Sequence, residues 1–236
     1  MSKNWLTDGI SKNLLNRAFG PFVSCLNDDQ KVIFEKKCSS VDFAAGATII
    51  ERHNNDSSVF FVLSGTVSVL NYTTSGRAIT HATLCSGNIF GEMAAIDCGP
   101  RAAWVLAVDD CKLLKIPGSV FINLAERNHK FSLELLRKLS ANLREANDRA
   151  LDFFSLDAEQ RACLELVRMA KPDPLRPNSY LVNQMPTQAN FATLIGSSRE
   201  TVSRIMSRLK NESVINISAR GLEILDKKQL DKRAFG

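Results

Sequence analysis

The segment Gln188–Leu209, QANFATLIGSSRETVSRIMSRL, restricts most strongly what this chain can fold into. Its second half carries apolar residues at i, i+3, i+4 and i+7, the period of a helix buried along one stripe: Val202, Ile205, Met206 and Leu209. The first half carries a facing stripe: Phe191, Leu194 and Ile195. Between them, Gly196 can adopt the left-handed backbone that ends a helix before a sharp turn. The segment therefore predicts two short helices meeting at Gly196, with Thr187 and Ser197 as their N-caps.

The exposed face of the second helix carries hydrogen-bonding side chains near its N-terminus: Ser197, Ser198, Arg199, Glu200, Ser203 and Arg204. A recognition helix inserts this end into the major groove of DNA, where arginine pairs with guanine and glutamate accepts from cytosine. Two simpler alternatives exist, a capping box between Ser197 and Glu200 and a surface ion pair between Glu200 and Arg204. Combined with the turn glycine and the two stripes, the pattern favours sequence-specific DNA binding.

Charge supports this interpretation. Residues 1–157 hold 17 Lys and Arg against 17 Asp and Glu, whereas residues 158–236 hold 13 against 8, so the whole positive excess lies in the third that contains the two helices.

No run approaches the roughly 18 apolar residues of a membrane helix, and the N-terminal sequence lacks the apolar core of a secretory signal. We therefore expect a cytoplasmic protein without membrane contact. The six cysteines are scattered and the three histidines lack metal-ligand spacing, so no metal is expected and no catalytic constellation is visible.

The chain up to about Phe154 is predicted to contain helical segments on either side of a region rich in β-strands. Residues 10–38 look helical, with the apolar set Leu14, Leu15, Phe19 and Phe22. From Val41 to Ile116 short β-type runs separated by glycines predict an antiparallel barrel or jelly roll: residues 47–50, 59–63, 66–72, 78–84 and 103–108. Ser119 to about Phe154 is predicted to be helical. Apolar and small residues there alternate by four and three as a heptad seam: Leu136, Ser140, Leu143, Asn147, Ala150 and Phe154. Such a seam predicts a two-helix dimer interface, or packing of the helix on its own barrel.

The last third is predicted to follow a hinge at Ser155–Asp157 with a helix from Ala158 to about Ala170. A proline-rich loop follows at residues 171–179. Beyond the two short helices, residues 214–226 predict two strands forming a β-wing, and residues 227–235 a final helix.

A second motif with chemical meaning is Gly87–Val105, GNIFGEMAAIDCGPRAAWV. Gly91 lets a ligand approach the backbone, Glu92 supplies a carboxylate, and Arg101 stands beside small residues that leave backbone N–H groups open. A guanidinium with backbone donors suits a phosphate, and a nearby carboxylate suits a ribose hydroxyl. The segment thus indicates a nucleotide site, the alternative being a salt bridge between Glu92 and Arg101 inside the barrel.

Over nearly its full length the chain resembles the catabolite activator and cyclic AMP receptor (CRP/FNR) family of bacterial transcription factors. The resemblance implies an α+β fold with a jelly-roll cyclic-nucleotide-binding domain at 1–117, a dimerisation helix region at 118–154 and a winged helix-turn-helix domain at 155–236. FGEMA at 90–94 and PRAA at 100–103 look like the family's phosphate-binding cassette. By resemblance Glu92 holds the ribose 2′-hydroxyl and Arg101 the cyclic phosphate. The wider expected ligand set is Phe90, Gly91, Met93, Ala102, Leu143 and Asn147.

Ala102 stands where the receptor has serine and where cassettes selective for cyclic GMP tend to have threonine, so the resemblance implies cyclic AMP as effector. Cyclic GMP or both nucleotides are the alternatives, because the long helix lacks the family's threonine against the base. On the long helix, Ala146 and Asn147 replace a Thr-Ser pair, and Asn147 either reads the base or fixes the register of the seam. SRETVSR implies that Arg199, Glu200 and Arg204 read a TGTGA-like half-site.

The leading hypothesis is a homodimeric, cyclic-nucleotide-responsive regulator that binds double-stranded DNA and has RNA polymerase as a further implied partner. Ligand binding would act through the hinge near Phe153–Asp157. Weaker alternatives are the same fold sensing haem or a metabolite, and a DNA-binding protein that needs no ligand.

Overall fold

The computed structural model describes residues 20–236 except 75, 77, 174, 175, 177, 178, 184 and 219. Leu14, Leu15 and Phe19 of the expected N-terminal apolar set therefore lie outside the described residues. The chain divides into two compact units, Met1–Asn142 and Leu143–Gly236, each with its own hydrophobic core. The three-segment division inferred from the sequence stays a prediction.

The first unit is a β-roll with helices on one side. After a helical segment at 20–24, its elements are α1 Asp28–Lys37, β1 Ser39–Phe43, β2 Thr48–Ile50, β3 Val59–Ser64, β4 Thr66–Tyr72, β5 Ala78–Cys85, β6 Ile89–Phe90, α2 Glu92–Ile96, β7 Trp104–Ala107, β8 Cys111–Ile116, α3 Gly118–Arg127 and the start of α4 His129–Ser155. Among the described residues of this unit, the strands form two antiparallel sheets ordered β1-β8-β3-β6 and β2-β7-β4-β5.

Strand β3 separates two cores because side chains alternate across a strand. Phe60 and Val62 face the core between the two sheets, whereas Val59, Phe61 and Leu63 face a second core under helices α1, α3 and α4. This two-sided burial explains the unbroken apolar run VFFVL. The jelly-roll prediction is confirmed in its five strands, while β1, β6 and β8 were not predicted.

The helical region expected from Ser119 to Phe154 is interrupted, which corrects the single-helix prediction. Asn128 has extended backbone angles (φ −134°, ψ 97°) between α3 and α4. Its side-chain oxygen accepts hydrogen bonds from the backbone N–H groups of Lys130 and Phe131, each at 3.1 Å. Its amide donates to Cys25 O at 2.7 Å. Asn128 thus starts α4 and ties it to the N-terminal helices.

The second unit contains the rest of α4, then α5 Ala158–Met169, β9 Lys171–Pro172, β10 Tyr180–Val182, α6 Gln188–Leu194, α7 Arg199–Asn211, β11 Ile215–Ser218, β12 Gly221–Ile224 and α8 Lys227–Phe235. Its described strands form one antiparallel sheet ordered β11-β12-β10-β9. The predicted wing and final helix are confirmed. At the start of the proline-rich segment, where a loop was predicted, Lys171 and Pro172 form a short strand that pairs with Leu181 and Tyr180.

The two predicted helices around Gly196 are present as α6 and α7. The stripe of α7 is buried in the core of the unit, with Val202 1% and Leu209 0% exposed. Thr187 caps α6 as predicted. The predicted cap of α7 was wrong by one residue: Ser198, not Ser197, has the extended cap conformation and accepts from Thr201 N at 3.1 Å. Two adjacent serines offer the same hydroxyl, so spacing alone did not separate them.

Helix α5 begins with a full capping box. The Asp157 carboxylate accepts from Gln160 N at 2.8 Å, and the Gln160 side chain accepts from Asp157 N at 2.9 Å. Two of the otherwise unpaired donors at the helix start are satisfied in this way.

Replacing Asp157 with alanine should therefore destabilise the second unit by about 0.5–2 kcal/mol, the usual effect of losing an N-cap. Urea unfolding followed by circular dichroism measures this loss. Asp157→Asn keeps a capping oxygen and should recover most of the stability. An asparagine variant as unstable as the alanine variant would contradict the capping role.

Candidate functional sites

The residues of the glycine-rich motif converge on one buried guanidinium. Arg101 is only 3% exposed. Its NH1 group donates to Gly91 O at 2.8 Å, and its NH2 group donates to Ser58 O at 2.6 Å. The Asp56 carboxylate lies 3.4 Å from NH2. Because a guanidinium has five N–H donors, these three interactions leave donors for an anionic ligand.

The backbone of Gly91 makes this convergence possible. Gly91 has φ +81° at the start of α2, a conformation that favours glycine. A Cβ atom there would lie 2.7 Å from Arg101 NH1 and 2.9 Å from Ser58 O. Strand β6 pairs antiparallel with β3, and this pairing brings the end of β6 close to the start of β3.

Glu92 follows at the first position of α2 and is 8% exposed. Burial raises the pKa of its carboxyl group, while the charges of Lys138 and Arg101 act in the opposite direction. Lys138 also donates from its ammonium group to Asn88 Oδ1 at 3.0 Å. No ion pair between Glu92 and Arg101 is found among the described residues, so the simple salt-bridge alternative is not supported. A carboxyl group in this position can bind a ligand hydroxyl.

The other expected ligand residues are placed differently. Phe90 is buried, and its ring stacks on Phe60 with centroids 5.2 Å apart, so the ring belongs to the core. Met93 is 55% exposed on α2, and Ala102 is also exposed. Leu143 and Asn147 belong to the second unit and are both exposed. Within the first unit, the structure therefore brings together Gly91, Glu92, Arg101 and Ala102.

Sequence reasoning missed the two residues that hold the guanidinium from the opposite side. Asp56 accepts from both the backbone N–H and the hydroxyl of Ser58, at 3.0 and 2.9 Å. The pKa of Asp56 is lowered: its partial burial opposes the change, but the Ser58 hydrogen bonds and the positive charges of Lys115 and Arg101 outweigh it. An Asp-x-Ser tripeptide in a loop carries no recognisable signal by itself.

The face of α7 opposite its buried stripe is open to solvent. Ser198, Arg199, Glu200 and Arg204 are exposed, whereas Ser197 and Ser203 are half-buried. Hydrogen bonds with its own backbone N–H and with Ser198 lower the pKa of Glu200, so this carboxylate is ionised near neutral pH. The alternative of a capping box between Ser197 and Glu200 is not supported, because Ser198 occupies the cap position. Arg204 donates to the Thr201 hydroxyl at 3.3 Å.

Ion pairs fix the C-terminal half of α7 within the second unit. The Glu159 carboxylate accepts from Arg208 at 2.6 Å and from Arg233 at 3.1 Å, and Arg233 also pairs with Glu212. One acidic residue at the start of α5 thus holds arginines from α7 and α8. This network leaves the N-terminal half of α7 free to meet a partner.

Over the described residues, no helix is long and apolar enough to cross a bilayer. In the same part of the chain, no three His, Cys, Asp or Glu side chains cluster in a way that could hold a metal ion.

Comparison with known proteins assigns both halves of the chain. A family model described as "Cyclic nucleotide-binding domain" matches residues 40–128, and one described as "Crp-like helix-turn-helix domain" matches residues 160–233. The Cyclic AMP receptor protein of Thermus thermophilus is 30% identical over 195 residues, which cover 82% of this chain and 87% of that protein. A CRP-like cAMP-activated global transcriptional regulator of Mycobacterium tuberculosis is 24% identical over 200 residues, covering 84% and 89%.

Solved structures agree on the fold. A CooA mutant from Carboxydothermus hydrogenoformans superposes with a TM-score of 0.75 at 21% identity, covering 97% of each chain. FixK2 from Bradyrhizobium japonicum gives 0.72 at 19% identity, covering 84% of this chain and 98% of its own. Fold and sites together define a cyclic-nucleotide-binding transcription regulator with a winged helix-turn-helix. The chain belongs to the CRP/FNR family, whose members are transcription regulators rather than enzymes.

The crowding at Gly91 gives a direct test of the cassette. Gly91→Ala should destabilise the first unit and reduce ligand binding, because the new methyl group meets Arg101 and Ser58. Gly46→Ala is a matched control: Gly46 has the same φ of +81°, but nothing lies within 4 Å of an added Cβ. Thermal unfolding should show a larger decrease for Gly91→Ala. Equal decreases would mean that backbone strain alone, of roughly 1 kcal/mol, explains both variants.

Proposed function

We propose that this regulator is controlled by cyclic AMP, acts as a homodimer and reads a TGTGA-like palindrome. The observation that carries the proposal is the buried Arg101 guanidinium held beside Gly91 and Glu92. A cyclic phosphate would accept from the remaining donors of Arg101, and the ribose hydroxyl would bind Glu92. The relatives named as a cyclic AMP receptor protein and as a cAMP-activated regulator support this choice of effector.

Few residues would determine whether the site prefers the adenine of cyclic AMP or the guanine of cyclic GMP. Ala102 offers no side-chain hydroxyl to the phosphate or to a guanine amino group, which favours cyclic AMP over cyclic GMP. From the long helix, Leu143 and Asn147 would meet the base, Leu143 by apolar contact and Asn147 through its amide. Cyclic GMP, or recognition of both nucleotides, is the alternative.

Calorimetric titration with each nucleotide tests the effector. We expect binding of cyclic AMP, weaker binding of cyclic GMP, and stabilisation by about 2.7 kcal/mol when the free ligand reaches roughly 100 times the dissociation constant. Arg101→Gln should abolish binding, whereas Arg127→Gln, in the last turn of α3, should bind like the wild type. If the folded wild type binds neither nucleotide, the effector assignment is wrong.

The proposed DNA contacts lie on the exposed N-terminal half of α7. Arg199 and Arg204 would each pair with guanine, and Glu200, ionised near neutral pH, would accept from cytosine. Ser197, Ser198 and Ser203 would contact phosphates or base edges around them. A DNA partner would also place the working protein in the bacterial cytoplasm, where RNA polymerase is a further expected partner.

Arg204→Ala should lose about 1–3 kcal/mol of discrimination between the palindrome and random DNA at each half-site. Lys210→Ala, near the C-terminal end of the same helix, should weaken binding to both DNAs equally. Fluorescence anisotropy with saturating cyclic AMP and with none measures both effects. Unchanged discrimination in Arg204→Ala would exclude this residue as a base reader. Equal affinity with and without ligand would favour the ligand-independent alternative.

Self-association is supported by apolar side chains that α4 exposes. Six large apolar side chains of α4 are exposed in the single chain: Leu133, Leu136, Leu143, Leu151, Phe153 and Phe154. Phe154 is the extreme case, at 91% exposed. Exposed apolar side chains repeated along a helix are stabilised in water when a second helix covers them. A second copy of α4 is the occupant that a two-fold palindrome requires.

Leu136→Glu should raise the dimer dissociation constant at least about tenfold, because a charge would be buried in the seam. Arg137→Glu changes the adjacent residue on the charged flank and should leave the dimer intact. Sedimentation equilibrium distinguishes the two. A monomeric wild type, or equal effects of the two substitutions, would refute this interface.

A further inference from the structure

Two polar residues of strands β4 and β5, half-buried Asn71 and exposed His81, lie beside the phosphate cassette. In the β4–β5 ladder, Val69 pairs with Ala82 but Leu70 pairs with Thr80, so His81 is an extra residue of β5 in the register of the two strands. Such a β-bulge redirects a side chain and is common next to functional sites. Here it places the His81 ring next to Asn71, with Nε2 3.1 Å from Asn71 Nδ2.

The same amide nitrogen reaches the cassette. Asn71 Nδ2 donates to the carbonyl oxygen of Ala102 at 3.4 Å. The amide therefore points its N–H groups at two acceptors, the imidazole and the Ala102 carbonyl. Its own oxygen is buried and has no hydrogen-bond partner among the described residues. A buried acceptor without a partner is unfavourable, so the two donated bonds impose this orientation.

The Ala102 peptide is the part of the cassette whose position matters most in this chain. Alanine lacks a hydroxyl, so only the backbone at 102 can bind a phosphate next to Arg101. Arg101 N donates to Asn54 O at 3.1 Å. Ala102 N, in contrast, donates in none of the backbone bonds found outside helices and strands in the described part of the chain. Ala103 N likewise donates in none of these bonds. Because the Ala102 carbonyl and the Ala103 N–H belong to one planar peptide group, fixing this carbonyl restricts the direction of the Ala103 donor, which is left open for a ligand.

We infer that Asn71 is a positioning residue for the cyclic phosphate, and that His81 holds the Asn71 amide in the orientation that fixes the Ala102 peptide. The inference rests on the proposed cyclic-nucleotide function and deepens it. It requires a neutral imidazole, since Nε2 must accept from the amide. Protonated His81 would present an N–H group, the amide would turn over, and its oxygen would face the Ala102 carbonyl.

The charge around His81 agrees with a neutral ring. Burial and the positive charge of Arg52, the charged group found to act on it, lower the pKa of His81 below its ordinary value. The competent arrangement is thus present near pH 7 and is lost as the pH falls through the His81 pKa. Ligand affinity should follow the same course. Glu92 and Asp56 also titrate in the site, so the His81 contribution is obtained by comparison with a His81 variant.

Calorimetric titration of the full-length protein with cyclic AMP, at about pH 7.5 and about pH 5, tests the inference. At the higher pH, Asn71→Leu should bind about fivefold more weakly, the change expected for one neutral hydrogen bond. Asn71→Asp has the same shape but no donor and should be weakened at least as much, which guards against a folding defect in the leucine variant. Thermal unfolding without ligand verifies that each variant is folded.

The pH profile separates positioning from a merely structural role. On acidification, the wild type should lose several-fold more affinity than His81→Leu, whereas His129→Leu, at the start of α4, should follow the wild type. Wild-type affinity in both Asn71 variants, or parallel loss in wild type and His81→Leu, would overturn this inference alone. A wild type that binds no cyclic nucleotide at either pH would overturn the proposed function and this inference with it.

Discussion

The hydrogen bonds from the buried Arg101 guanidinium to Gly91 O and Ser58 O are the constraint around which the first unit is arranged. A buried cation is stabilised when polar acceptors and an opposite charge surround it, so separate segments of the chain must meet at the Arg101 guanidinium. The loop before β3 supplies Ser58 and Asp56, and the end of β6 supplies Gly91. Because the roll already holds the guanidinium in place, an incoming anion meets a prepared site and little further ordering is needed.

Much of this architecture could be predicted from the sequence, and the failures have identifiable causes. The stripes of α6 and α7 were readable because helical periodicity survives in a half-buried helix. Strand β8, CKLLKI, has two lysines separated by two leucines, so strict alternation is broken and the strand signal is weaker. The cap of α7 was misplaced because Ser197 and Ser198 are chemically identical neighbours. The pairing of Asn71 with His81 could not be predicted at all, since it depends on a bulge that shifts the register of two strands by one residue.

Within the second unit, the end of the long helix is joined to α5 by charges. Arg168 lies 2.7 Å from Asp152, and Arg149 lies 3.7 Å from Glu165. Partly exposed pairs of this kind contribute about 0–1 kcal/mol each. The ion pairs found between the end of α4 and α5, on either side of residues 155–157, are therefore of modest strength. Ion pairs that contribute so little free energy are compatible with the hinge predicted at this junction.

The turn between α6 and α7 contains a further dependence on the long helix. A Cβ atom on Gly196 would lie 2.4 Å from the Phe153 ring, and Arg161 covers that ring with its guanidinium carbon 5.4 Å from the centroid. Arg161 also donates to Ile195 O at 2.8 Å, so one arginine joins the ring to the turn. Position 196 is thus restricted twice, by its own positive φ and by the aromatic ring that fills the space of a side chain. During divergence, a larger residue at 196 would become acceptable only together with a smaller one at 153, so the turn that aims the recognition helix and the helix end beneath it should evolve as a pair.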